Sequence, residues 1–136
     1  MVTRAAPGRP LIGGTLALPV YHVVYIFRVA RPNVDRFIES SREAAVIYRR
    51  HGAAESTIAS IIDAAGKYGC IGLSDVVPAE ADELLFLGHN AFADAADFKR
   101  VSAAIDADPN IGELFTAIQQ VIDLSTVVRW EAEGPV

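Results

Sequence analysis

Three histidines, four tyrosines and one cysteine are the side chains of this 136-residue chain best suited to proton transfer, ligation or nucleophilic attack. His22 and His89 fall in two apolar, β-branched and aromatic segments, 21–29 (YHVVYIFRV) and 83–90 (ELLFLGHN). If those segments are neighbouring strands with both imidazoles on one face, the rings can meet. Such a pair can move a proton near neutral pH. With a carboxylate added it could hold a divalent cation, and Glu55 and Asp123 are the candidates by strand. No HExxH or similar motif supports a metal, and none is assigned; the competing reading is two structural histidines with satisfied hydrogen bonds. His51 follows Arg49 and Arg50 at a helix end, where cations complement the dipole, and reads as structural. Cys70 has only Lys67 nearby to lower its pKa, so a catalytic thiolate is not expected. Ser40-Ser41 and Ser125-Thr126 lack the GxSxG context of a hydrolase. The glycines form neither GxGxxG nor a phosphate loop.

Aromatic residues supply the other candidate site. Tyr21, Tyr25, Phe27, Phe37, Tyr48, Phe86, Phe98 and Phe115 recur at strand and helix spacing. They describe either an ordinary core or the wall of a small-molecule pocket. Tyr25 and Tyr48 stand out, because a buried hydroxyl needs a partner. Asn90 and Trp130, near strand ends, could orient a substrate carbonyl. The candidate catalytic residues are therefore His22, Tyr25 and His89, with Tyr48, Phe86, Asn90 and Trp130 as ligand-contacting residues.

The elements that must position these groups follow from period and punctuation. Alternation over 21–29 puts Tyr21, Val23, Tyr25, Phe27 and Val29 on one face, and His22, Val24, Ile26 and Arg28 on the other. Pro32 ends that strand and Asn33 is placed to cap a helix running from Val34 to about Arg50, with Gly52 as its stop. A second strand covers 55–63 (ESTIASIID), and 64–82 form a long connection. The third strand is 83–90. A second helix starts at Ala93 or Asp94 and is stopped by Pro109. Ile111, Leu114, Phe115 and Ile118 mark a short third helix, and 122–131 (IDLSTVVRWE) the last strand. The order β-α-β-β-α-(α)-β is the ferredoxin-like, split βαβ arrangement: a four-stranded antiparallel sheet with helices on one face. Its other face, with Val24, Ile26, Ala59 and Ile61, would be too large an apolar patch for a soluble monomer. A homodimer packed sheet to sheet is the expectation.

Composition bounds the function. Apolar residues make up 51% of the chain, enough for a packed core rather than disorder. Twelve basic against 17 acidic residues give a net charge of −5, which speaks against a nucleic-acid binder. No apolar run reaches the roughly 18 residues of a membrane span. Residues 1–20 carry three Pro and three Gly and read as a loose arm before a single domain over 21–136. Their short, interrupted apolar stretch makes a poor secretory signal. A single cysteine fits a reducing cytoplasm.

Four segments carry a family resemblance: the opening strand YHVVYIFRV, the helix end YRRHGAAES, DELLFLGHNAFADAADFKRV and AAIDADPNI, with the Asp108-Pro109-Asn110 turn the most particular. The chain resembles the dimeric α+β-barrel proteins and, within them, is similar to the bacterial domain-of-unknown-function family fourteen twenty-eight. Val23 stands where that family usually carries an acid, and Val128, Arg129 and Trp130 where its last strand tends to glycine. The resemblance implies a dimeric α+β barrel whose ligand pocket lies between sheet and helices. The wider superfamily includes cofactor-independent monooxygenases, in which an Asn and a Trp often orient substrate, as well as haem-degrading and isomerising enzymes and proteins without known activity. The implied function is binding, or cofactor-independent conversion, of a small and fairly apolar organic molecule, by monooxygenation, cyclisation or isomerisation. The alternative is a non-catalytic dimeric stress or interaction protein. An enclosed cavity reaching His22, Tyr25 or His89 favours the first, and a filled core the second.

Overall fold

A computed structural model describes residues 11–12, 15–16 and 18–136. The expected arm over residues 1–20 lies mostly outside the described residues. Within it, Leu11–Ile12 pairs antiparallel with Thr15–Leu16.

The main sheet has four strands: β1 (Tyr21–Ala30), β2 (Glu55–Ser60), β3 (Glu83–Phe92) and β4 (Val128–Glu133). Their order is β2-β3-β1-β4, all antiparallel. The helices are α1 (Val34–Arg50), α2 (Ala95–Asp106) and α3 (Ile111–Gln119). This is the expected α+β, ferredoxin-like order, with β1 and β3 as the central pair.

The register settles the faces. Val23 pairs with Asn90 and Tyr25 with Gly88, so these share the helix-covered face with Ser56 and Ile58 of β2. Val24 pairs with His89 and with Trp130, and these belong to the opposite face. Under the helices the core has two parts. Val23, Phe92, Val101, Ile105 and Leu114 fill one. Val29, Phe37, Phe86, Val121 and Ile122 fill the other.

α1 stops as its sequence dictates. His51 is its C-cap, and Gly52 follows with φ +115°, a conformation open to glycine at little cost. Asp108 ties this end down. Its carboxylate, largely buried, accepts from Arg50 at 2.5 Å, His51 at 2.7 Å and the Asn110 backbone N–H at 2.9 Å. The DPN turn is thus a brace between α1 and the α2–α3 corner. Its donors, His51 first, hold the Asp108 carboxyl well below the usual carboxylate range.

Several sequence expectations are corrected. Asn33 makes no side-chain cap bond, because a 3-10 turn over Arg31–Asn33 leads directly into α1. β2 ends at Ser60, three residues early. β4 begins only at Val128, because the Asp123 side chain accepts from the Ser125 N–H and winds Leu124–Thr126 into a 3-10 turn. Asp123, a candidate metal carboxylate, is committed to that turn. The connection after β2 folds back over the sheet. Val77, Leu73 and Ile61 pack on Ile26 and Leu85, leaving Ile26 only 4% exposed. Ile26 therefore belongs to a third small core rather than to a bare face. The uncovered remainder holds the half-buried Val24 with the exposed Val128 and Trp130.

Candidate functional site: an aromatic cavity under the helices

A cavity of about 720 Å³ opens between the helix-covered sheet face, α1 and α3. That volume is in the range of small-molecule sites. Its floor depends on Gly88. A Cβ there would lie 2.7 Å from the Phe27 ring, so glycine is what lets Tyr25 and Phe27 lie across β3. Those two rings stack at 5.4 Å between centroids, and Phe37 tilts against Phe27 at 5.1 Å. Phe86, buried in the core, adds to this wall. Ile38 and Ile58 complete an aromatic and aliphatic surface.

Polar groups gather where β2, β3 and the end of α1 meet. Ser56 is 6% exposed and Asn90 9%. The Ser56 hydroxyl donates to Asn90 Oδ1 at 2.7 Å, and the Ser56 carbonyl accepts from Arg49 at 2.6 Å. Asn90 Nδ2 has no partner among the described residues. Tyr48 reaches the same cavity from α1. Burial, with smaller contributions from Tyr25 and Asp106, pushes its phenol up to about 12, so it is a neutral donor across the physiological range. Arg129 lies 5.8 Å from the Tyr25 ring centroid, in cation–π range, and pairs with Glu131 at 2.8 Å. Glu131 also accepts from the Tyr21 hydroxyl.

The histidine pair forms as the strands allow, but not in the cavity. Its rings are on the opposite sheet face. His22 Nδ1 and His89 Nε2 are 3.0 Å apart. With ring planes within 21° and centroids 5.2 Å apart, the rings meet edge to edge through those nitrogens. His22 Nε2 lies 2.9 Å from the Gly134 carbonyl, which can only accept, so that nitrogen carries the proton. Between His22 Nδ1 and His89 Nε2 one nitrogen donates and the other accepts. His89 Nδ1 faces Glu55 at 3.8 Å. Burial and the neighbouring His22 lower the His89 pKa, against an opposing effect of Glu55. The facing nitrogens are thus used on each other. Among the described residues no three His, Cys, Asp or Glu side chains are grouped to hold a metal ion.

Of the sequence candidates, Tyr25, Tyr48, Phe86 and Asn90 come together around the cavity. His89 borders it along β3 while its ring points to the other side. His22 and Trp130 are separated from it by the sheet, which corrects the grouping of His22 with Tyr25 and of Trp130 with Asn90: Trp130 pairs with Val24, and Asn90 with Val23. Sequence reasoning missed Arg42, Arg49 and Ser56 as residues of the cavity wall, while Arg129 contacts Tyr25 without lining the cavity. Ser56 had a signal, since alternation places it with Ile58 on the inward face, where a serine is out of place unless bonded.

The sequence profile of a family described as "Protein of unknown function (DUF1428)" matches residues 20–121. No curated protein matches the chain. Among solved structures, it is similar to a point-mutant form of SnoaB, a cofactor-independent oxygenase from Streptomyces nogalater. The TM-score is 0.55 at 13% identity, covering 88% of this chain and 96% of that one. It is similar as well to a nipsnap family protein with unknown function from Agrobacterium tumefaciens. There the TM-score is 0.55 at 14% identity, covering 85% of this chain and 88% of the other. At such identity the likeness is one of fold.

Proposed function

The chain belongs to the DUF1428 family, whose function is unknown, and we propose that it binds a small, largely apolar ring compound in this cavity and converts it without a cofactor. The observation that carries the reading is the cavity itself: about 720 Å³, walled by Tyr25, Phe27 and Phe37, with the buried Ser56–Asn90 pair and the neutral Tyr48 phenol also in its wall. A filled core would have left no such space. Oxygenation, as carried out by the similarly folded SnoaB, is the leading reaction type, with isomerisation and cyclisation in the same class. In each, a substrate carbon gives up its proton to water at the open mouth of the cavity, where no carboxylate stands among the described residues, and the electron pair left behind moves onto a substrate oxygen; oxygenation then takes dioxygen as co-substrate and oxidant. Asn90 Nδ2 and the Tyr48 hydroxyl are donors preset to stabilise that charge in a site partly closed to water. Tyr48 serves as donor rather than base, because its phenol resists ionisation. His22, on the far side of the sheet, has no direct role.

We further propose that two copies pack through the uncovered sheet face, burying Val24, Val128 and Trp130. Three such side chains on one open face favour this arrangement.

A thermal-shift screen of planar aromatic ketones and phenols tests the reading, run in parallel on the wild type and on Ala44→Phe, which narrows the cavity from α1. Compounds that raise the Tm of the wild type and not of the variant are expected. Stabilisation of both proteins alike, or of neither, would refute the site.

A further inference from the structure

Among the described residues no aspartate or glutamate lines the cavity, although the chain has 17 acidic residues and a net charge of −5. Two arginines do line it, Arg42 and Arg49. They are seven residues apart on α1 and so share one helix face. Arg42 is exposed and makes no hydrogen bond or ion pair among the described residues. Arg49 spends one N–H on the Ser56 carbonyl and keeps the rest of its guanidinium. Asn90, nine-tenths buried, spends its oxygen on Ser56 and keeps both N–H groups. The charged capacity left over in the cavity wall is therefore cationic and donating, beside the hydroxyls of Ser41, Tyr48 and Ser60, which can donate or accept. A ligand offering only donors, or a cation, would leave the arginine donors unpaired and meet like charge. A ligand with an oxyanion would satisfy them and meet no carboxylate on the wall. In an acidic protein this is a local reversal of sign, and it favours an anion at this part of the cavity.

We infer that the ligand is an amphipathic anion: an apolar, ring-containing body on Tyr25, Phe27 and Phe37, with one oxyanion group held by Arg49 and Asn90 and received at the rim by Arg42. The oxyanion is a carboxylate or an ionised enol, which share this chemistry. The inference rests on the reading of the cavity as a ligand site and adds the charge of what enters it.

Two fluorescent probes with the same aromatic body separate the two claims. 8-Anilinonaphthalene-1-sulfonate is anionic, and N-phenyl-1-naphthylamine is neutral. Dissociation constants are measured for both on the wild-type protein, and on Arg49→Gln, Arg49→Lys, Arg42→Gln and Arg36→Gln. Arg36 is exposed, bonds Gln120 and does not line the cavity. The wild type is expected to bind the anion about tenfold more tightly than the neutral probe at low salt. Arg49→Gln is expected to abolish that preference while keeping the neutral probe bound. Arg49→Lys retains most of the preference, and Arg36→Gln behaves as wild type. Equal binding of the two probes, or a preference that survives Arg49→Gln and Arg42→Gln, overturns the anionic ligand and leaves the cavity reading standing. A preference lost equally in Arg36→Gln also overturns it, because general surface charge would then set it. If neither probe binds, both readings fall. For the source of the charge, displacement of the bound sulfonate by aromatic carboxylates and by acidic enols is compared. Displacement by neither class overturns the oxyanion assignment.

Discussion

Ser56→Ala tests whether the polar end of the cavity is built for a ligand at a cost in stability. The mutation removes one hydroxyl and leaves the Ser56 carbonyl free to accept from Arg49 as before. What it strands is Asn90 Oδ1, whose partner is that hydroxyl at 2.7 Å, on a side chain only 9% exposed. A buried acceptor left without a donor costs about 1–3 kcal/mol. For a chain of this size that lowers Tm by about 3–10 °C. Removing both partners has a different outcome. Ser56→Ala with Asn90→Leu replaces the pair by apolar groups of similar shape, and stability should return to within about 1 kcal/mol of wild type. A double-mutant cycle from urea unfolding measures the coupling, expected at about 0.5–3 kcal/mol. The double variant should be well folded and unable to bind the ligands found by thermal shift, as expected of polar groups retained for function. Wild-type stability in Ser56→Ala, to within about 0.3 kcal/mol, would refute the reasoning, since Asn90 would then be served by water and the pair would not be a buried one.

Three more outcomes follow from the fold. Trp130→Glu, on the uncovered face, should shift the sedimentation coefficient from dimer to monomer with the fold intact, whereas Ile26→Asp, beneath Val77, should unfold the protein; dimeric Trp130→Glu would remove the proposed interface. Acid should weaken the fold through His89. Its pKa is lowered in the folded state, so below about pH 6.5 the unfolded chain takes up the proton first, and stability falls with pH from there through the lowered folded value. His89→Gln should flatten that part of the urea-midpoint profile, and an unchanged slope would contradict the lowering of the His89 pKa by burial and by His22. In an ultraviolet titration of the phenols, one step should come at about pH 12 and disappear in Tyr48→Phe; a Tyr48 titrating like a free phenol would mean that the cavity end is wet.

Much of this was legible in the sequence because it depends on neighbours a few residues away. Period-2 alternation put His22 and Tyr25 on opposite faces of β1, and the structure keeps them there. Gly52 ends α1 because a left-handed residue is needed there, which is a local demand. Asp94 caps α2 by accepting from the Asp97 N–H three residues on. The order of strands and helices followed from these signals, and with it the fold.

What only the tertiary structure decided depends on residues far apart in the chain. The covering of Ile26 comes from Val77, in a connection whose sequence alternates with nothing and so advertises no partner. Arg49 is, by local rules, a cation at a helix end. It becomes a site residue only because β2 brings the Ser56 carbonyl against it. The register between β1 and β4 places Trp130 beside Val24, with Asn90 on the other side of the sheet, and a shift of one residue would have reversed that. Whether the aromatic residues close into a core or leave a cavity is likewise a matter of volume. It is set by how α1, α3 and the sheet pack together, and side-chain identity alone does not contain it.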